Sequence, residues 1–240
     1  MAKRFTLIGP GRAGRAMERA LVELGWVCVG VFARASDPAD AAREVDLCLI
    51  AVPDRAIHDV AAAIVPGDAV VMHLSGATPV SILAPHHRRA GLHPLVALAD
   101  PVAGAEALKT AYFACGGDAL AQEVAGELSG KWFEISDADR ALYHGAAVVA
   151  SNHLVALLGQ VERLAAEVGV PFEAFMSLVQ SSVDNVGALG ARAALTGPAA
   201  RGDEETIESH VAALSSRLPE EVAAYEALVS QARKLANIDP

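Results

Sequence analysis

Phe5-Thr6-Leu7-Ile8-Gly9-Pro10-Gly11-Arg12-Ala13-Gly14 is a short apolar strand that runs directly into G-x-G-x-x-G. A helical pattern follows, with Ala16, Met17, Ala20, Leu21 and Leu24 on one stripe. In a strand, turn and helix of this kind the first glycine permits the tight turn. The second lets the backbone approach a pyrophosphate, and the third lets the helix pack closely on the strand. The helix N-terminus adds free N–H groups and the positive end of its dipole. The stretch therefore predicts a dinucleotide site on Gly9, Pro10, Gly11, Arg12, Ala13 and Gly14.

A second strand, Trp26 to Ala33, decides which dinucleotide. An NAD site places Asp or Glu near the end of that strand, to bond the ribose 2′-hydroxyl. Here Arg34-Ala35-Ser36 stands there, and the first carboxylate is Asp37. A guanidinium and a hydroxyl suit a 2′-phosphate, which a carboxylate repels. Arg34 and Ser36 thus predict NADP(H) rather than NAD(H), with Arg12 closing over the same phosphate or the adenine.

The 240 residues carry a net charge of −10, which argues against nucleic acid or an anionic membrane as partner. Hydrophobic residues make up 53% of the chain and the mean hydropathy is +0.34. No run reads as a membrane span, because Ser151-Asn152-His153 interrupts the apolar stretch from Ala146 to Leu158. The excess is assigned instead to a helical region buried against a second subunit, which predicts a homodimer. Cys28, Cys48 and Cys115 lie in apolar runs without metal spacing and read as reduced core residues. With a strand opening the chain and no secretory pattern ahead of it, the expected location is cytoplasmic.

Strand-like and helix-like segments alternate up to about residue 135. Asp46–Val52 and Ala69–Leu74 are near-continuous apolar runs, as parallel strands buried on both faces require. Shorter strands are expected at 90–93, 111–115 and 132–135, and Asp54 is expected to cap a helix. The pattern predicts an α/β fold: a doubly wound Rossmann sheet over residues 1–135. From Ser136 the grammar is helical. Ser136-Asp137-Ala138-Asp139 reads as a capping box opening one long helix to about Val168. Helices over 172–189, 203–215 and 219–236 follow, so residues 136–240 form an all-helical substrate and dimerisation domain.

Ligands in such sheets bind beyond the carboxyl ends of strands, so Val52-Pro53-Asp54, Ser75-Gly76, His93-Pro94 and Gly116-Gly117 are privileged positions. His86-His87-Arg88-Arg89 reads as an exposed helix end. On the long helix His144, Val148 and Asn152 fall at i, i+4 and i+8, a polar stripe on an otherwise apolar face. Such groups need partners, at a cost of about 1–3 kcal/mol each if unpaired. The loop from Thr196 to Asp203 offers Arg201 as a carboxylate clamp, or as a partner for Asp203 or Glu204.

Six motifs occur in order: Gly9–Gly14, Ala51-Val52-Pro53-Asp54, His73-Leu74-Ser75-Gly76-Ala77, Leu92-His93-Pro94, Tyr143-His144 with Ala150-Ser151-Asn152, and Ala194–Pro198 with Arg201-Gly202-Asp203. Together they resemble a family of short bacterial Rossmann-like proteins whose C-terminal half is a domain of unknown function of the DUF2520 type. The wider clan includes 6-phosphogluconate dehydrogenase, ketopantoate reductase, pyrroline-5-carboxylate reductase and deazaflavin-linked NADP reductases. The resemblance implies a Rossmann domain followed by a helical domain that commonly dimerises, and ketopantoate reduction as the first named activity. Relatives of the common type carry Lys-x-x-x-Asn on the first helix of the second domain. Here Asn152 matches the Asn, but Val148 occupies the lysine position.

The expected function is therefore an NADPH-dependent reductase of a small carboxylate-bearing carbonyl compound. Gly9–Gly14, Arg34, Ser36, Val52 and Pro53 would hold NADPH/NADP. His144 would be the acid, with His93 as second choice; Ser75 and Asn152 would orient the carbonyl, and Arg201 would hold the carboxylate. No metal is expected. The alternatives are an NADP(H)-binding sensor or scaffold without turnover, and an imine- or deazaflavin-linked oxidoreductase.

Overall fold

The computed structural model describes residues 2–237. Its first half is a seven-stranded sheet in the order β2-β1-β3-β4-β5-β6-β7. The strands are β1 (Arg4–Ile8), β2 (Val27–Phe32), β3 (Leu47–Ile50), β4 (Val70–His73), β5 (Arg89–Pro94), β6 (Phe113–Gly117) and β7 (Trp132–Glu134). Helices α1 (Arg12–Glu23), α2 (Asp54–Ala63), α3 (Pro101–Leu108) and α4 (Leu120–Leu128) connect them.

Strands β3 and β4 are buried at every residue, as their continuous apolar runs require. Alternation sends successive side chains to opposite faces. Phe5, Leu7, Leu49 and Met72 pack beneath Met17 and Leu21 of α1 on one face. Ile8, Cys48, Ile50 and Val71 pack against Ile57 of α2 and Leu83 on the other. Burying Met17 and Leu21 is worth about 1.5–3 kcal/mol each and fixes α1 over the sheet.

Three expectations are corrected here. The pair β5–β6 is antiparallel, whereas the other neighbouring pairs are parallel. Leu95 N–H donates to Tyr112 O at 2.8 Å where one strand ends and the next begins, so the pair is a hairpin with α3 looped out of its connection. Asp54 is the first residue of α2 rather than its cap; its charge still favours the helix dipole. The 86–89 cluster is no helix end: a ring nitrogen of buried His86 lies 2.9 Å from Ala61 O, Arg88 pairs with Asp118, and Arg89 opens β5.

The later helices are α5 (Arg140–Val148), α6 (Leu154–Glu167), α7 (Glu173–Leu189), α8 (Ala191–Ala194), α9 (Pro198–Arg201), α10 (Glu204–Arg217) and α11 (Val222–Ala236). Ser136 Oγ accepts from Asp139 N–H at 3.2 Å and donates to Asp139 Oδ2 at 2.6 Å, the local box that precedes α5. Between α5 and α6, Val149–His153 forms a π-helix. Its wider turn departs from the 3.6-residue period that would align Asn152 with His144 and Val148.

The chain divides into two compact units, one ending at Ser151 and the next beginning at Asn152. That division lies beyond the 135/136 boundary expected from the change of pattern, because α5 belongs with the sheet. Within the second unit, Gln160 Nε2 donates to Glu221 O at 3.1 Å, Arg163 pairs with Glu221, and Arg217 reaches Glu167 Oε1 at 3.0 Å. Neither buried apolar cluster contains a residue beyond Leu128. Helices α7 and α11 have no buried residue among those described. The stretch Arg140–Glu167 is long and apolar enough by composition to cross a membrane, contrary to the sequence reading, and none of its most apolar window is buried.

Candidate active site

The glycine turn is built on close contacts. Gly9 has φ +92°, and a Cβ there would lie 2.5 Å from Ala51 O. A Cβ on Gly14 would lie 2.3 Å from Gly9 O, so α1 can meet β1 at this depth only without a side chain. Gly11 differs, because nothing lies within 4 Å of its Cβ position. The space beside Gly11 is where another molecule can approach the backbone. Gly11 also precedes α1 without any side-chain cap, and no acidic residue occupies the first turn. The N-terminal N–H groups are therefore free to meet an anion.

A cleft of about 720 Å³ opens from this turn, lined by Gly9, Pro10, Gly11, Arg34, Ser36, Val52, Pro53 and Arg55. That volume is within the range of about 300–1,000 Å³ typical of ligand sites. Arg34 is exposed at the end of β2. Ser36 Oγ accepts from Ala33 N–H at 3.1 Å and shapes the turn that carries Arg34. Asp37 is occupied elsewhere, accepting from Ala39 N–H at 3.0 Å. Arg12 is exposed in the first turn of α1, and Ala13 is half-buried beside it. Arg55, on the first turn of α2, was missed by the sequence reading. Its only signal is its place directly after Val52-Pro53-Asp54.

A second cluster forms at the carboxyl ends of β4 and β5, on the same sheet edge as the glycine turn. Gly76 is its floor: a Cβ there would lie 2.7 Å from His144 Cδ2 and 3.0 Å from His93 Cδ2. The two imidazoles stand edge to face, 5.7 Å between centroids. His93 Nδ1 lies 2.6 Å from the Tyr143 hydroxyl oxygen, and Tyr143 packs edge-on against Phe133. Burial, then the charges of His144 and Arg140, hold His93 down to about 4. Burial pushes Tyr143 up to about 12 against the pull of Arg140. At neutral pH this hydrogen bond therefore joins a neutral imidazole to a neutral phenol.

Ser75 is buried, and its Oγ accepts from Thr78 N–H at 3.0 Å and donates to Thr78 Oγ1 at 2.8 Å, an ST-turn. Ser151 Oγ donates to Ala147 O at 2.8 Å. Asn152 and Arg201 belong to the second unit, and Arg201 Nη2 lies 3.8 Å from Asp203 Oδ2. The structure thus gathers His93 and His144, adds Tyr143, and commits Ser75 to its own turn. Tyr143 stands in the Tyr143-His144 motif, but its contact with His93, fifty residues earlier, comes only from the fold. Among the described residues no cluster of His, Cys, Asp or Glu has the geometry to hold a metal ion.

Residues 115–232 match a family described as a domain of unknown function, DUF2520. The DUF2520 segment includes Arg140, Tyr143 and His144, while the glycine turn lies outside it. No curated protein sequence matches the chain. Among solved structures, the fold is similar to that of protein TM1727 from Thermotoga maritima, at 26% identity over 97% of this chain and 98% of that one, with a TM-score of 0.75. It is also similar to BF3122 of Bacteroides fragilis, provisionally named an NADP oxidoreductase, at 21% identity, 97% and 98% coverage and a TM-score of 0.84. The pyrroline carboxylate reductase of Plasmodium falciparum, with NADP bound, shares 12% identity over 98% of both chains, with a TM-score of 0.61. The α/β sheet followed by helices is therefore the architecture of these proteins as well.

Proposed function

We propose that this protein is an NADPH-dependent reductase of a small carboxylate-bearing carbonyl compound, with a ketopantoate-like 2-keto acid as first candidate. The observation that carries the reading is the open glycine turn and uncapped α1 terminus in one cleft with Arg34 and Arg55. Two guanidiniums lining one cleft suit a 2′-phosphate. The NADP named for two similar folds agrees with this preference.

When bound, NADPH supplies a hydride. The backbone N–H groups of the turn would hold its pyrophosphate and Arg34 its 2′-phosphate. Strands β3 and β5 are two spacings apart, about 10 Å, so a cofactor lying along the edge extends toward the imidazoles. His144 would give the proton to the carbonyl oxygen as negative charge develops there, with His93 as the second candidate. Gly76 leaves room for both rings.

One further reading has a specific observation in its favour. Pyrroline is a cyclic imine, and the Plasmodium reductase shares this fold over nearly its whole length. Val148 at the lysine position of keto acid relatives is consistent with an imine substrate, which can arrive already protonated. Loss of NADPH absorbance with ketopantoate, a short panel of 2-keto acids and cyclic imines separates the two. Turnover of keto acids is expected; turnover of imines alone replaces the substrate class, and tight NADPH binding with no turnover favours a sensor.

The helical unit is assigned to a homodimer interface, since it lacks an apolar core of its own. Leu178, Val183, Val186 and Leu189 of α7 are all exposed. A second copy is preferred to a lipid surface because Arg163 and Glu167 of the long apolar stretch pair within the unit. Sedimentation equilibrium should return twice the chain mass; a monomer at micromolar concentration would sink the assignment.

A further inference from the structure

The bulkiest of the fully buried side chains is a guanidinium. Arg140, in the first turn of α5, has no exposed surface. Two glycines make room for it: a Cβ on Gly91 of β5 or on Gly116 of β6 would lie 2.7 Å from its Nη2. Its compensation is thin. Nε and Nη2 make no hydrogen bond, and Nη1 reaches Ser75 O only at 3.5 Å. The nearest carboxylate oxygen, Asp137 Oδ1, is 3.3 Å from Nε, yet Asp137 is 39% exposed and also accepts from Val80 N–H and Ser81 N–H. A buried charge so weakly paired is costly, and an apolar side chain of the same size would fill the space as well. Packing alone does not account for an arginine here.

What surrounds the guanidinium does. His73 of β4 approaches the other side of Gly91, its Cε1 3.0 Å from that Cβ position, and neither ring nitrogen has a hydrogen-bond partner. From β5 comes His93, from β6 Cys115, and from α5 Tyr143. Asp137 before α5 and Asp54 of α2 are the carboxylates that act against Arg140 on His73. We propose that Arg140 is a positioning residue whose buried charge, set against His73 across Gly91 and one helical turn before Tyr143, holds His73 and His93 in the site as neutral imidazoles. The inference rests on the reductase reading for its function but not for its physics. After burial, Arg140 is the next cause of the low value of His73, and it also lowers His93. A neutral His93 in turn keeps its directional bond to Tyr143.

The test is an NMR titration of the imidazole Cε1–H signals together with the pH profile of turnover. Arg140→Met should raise the titration of both His73 and His93 by about one unit or more, and move the acid limb of turnover in the same direction; Arg140→Lys should leave both low. A role confined to packing predicts lost stability with unchanged titrations, and that result overturns the proposal. Should Arg140→Met fail to fold, Asp137→Asn removes the opposing carboxylate; its Oδ1 can still accept from Val80 N–H, while Ser81 N–H loses its acceptor. There His73 should move lower still, and an unchanged or raised value overturns the proposal. Titrations that move as expected in a protein that turns over nothing overturn the reductase reading alone.

Discussion

The imidazole of His93 and the phenol of Tyr143 share a 2.6 Å hydrogen bond across fifty residues of sequence. One group ends a strand and the other lies on the first helix after the sheet, so the bond exists only once β5 and α5 are packed. Both are neutral near pH 7, since burial moves their titrations apart in opposite directions. His93 therefore enters the site as a neutral hydrogen-bonding group, beside the His144 proposed to give the proton.

His144→Ala should lower kcat by about 10²–10⁴-fold, the usual range for a general acid, with NADPH affinity nearly unchanged. Steady-state kinetics with a turned-over keto acid and direct NADPH titration check the two halves. A loss below about threefold, small against that range, removes His144 as the acid.

Arg34→Ala separates the two nicotinamide cofactors. A charge-assisted hydrogen bond is worth roughly 1.5–3 kcal/mol, so NADPH binding should weaken by about 10–150-fold while NADH binding barely changes. Equal losses for both cofactors would refute the 2′-phosphate assignment.

Gly11 and Gly14 should respond differently to alanine. The Gly11 position faces open space, so Gly11→Ala should cost at most about 1 kcal/mol of stability, as a changed N-cap does, yet block the close approach of a pyrophosphate. Gly14→Ala meets Gly9 O at 2.3 Å and should lower stability by about 1–3 kcal/mol or more. Chemical denaturation and NADPH titration of both variants test the contrast, which fails if Gly11→Ala binds normally.

Acid should destabilise the protein through its neutral buried imidazoles. His73 titrates near 4 in the folded protein against 6.5 for the free group, so between those values the unfolded chain binds more protons. Stability is complete above about pH 6.5 and is lost as pH falls toward 4, on the order of 3 kcal/mol for His73, with His93 adding less because it is only half-buried. His73→Asn should flatten that slope in denaturation curves recorded across the window. An unchanged slope would show that His73 does not carry it.

Much of this molecule was legible in the chain. Gly9 and Gly14 announce their turn because a backbone contact of 2.5 Å or less admits no side chain there, and Gly11 because a bare backbone is what a pyrophosphate can approach. The buried runs of β3 and β4 announce the sheet because a strand covered on both faces must be apolar throughout. Helical periodicity likewise located α7, α10 and α11, since a repeat of 3.6 is a local property. Arg55 and Arg140 were not legible, and Tyr143 was legible only as part of a motif, because the role of each is defined by what lies across space from it. Nothing in residues 90–117 distinguishes a hairpin with a helix looped out from a parallel crossover, and nothing near Val149 marks a π turn. Local sequence determined the elements and the phosphate-binding turn, since those depend on neighbouring residues and steric permission. Only tertiary packing decided that His73, His93 and Tyr143 gather around one buried guanidinium, because desolvation and Coulomb interactions depend on distances that the order of residues does not contain.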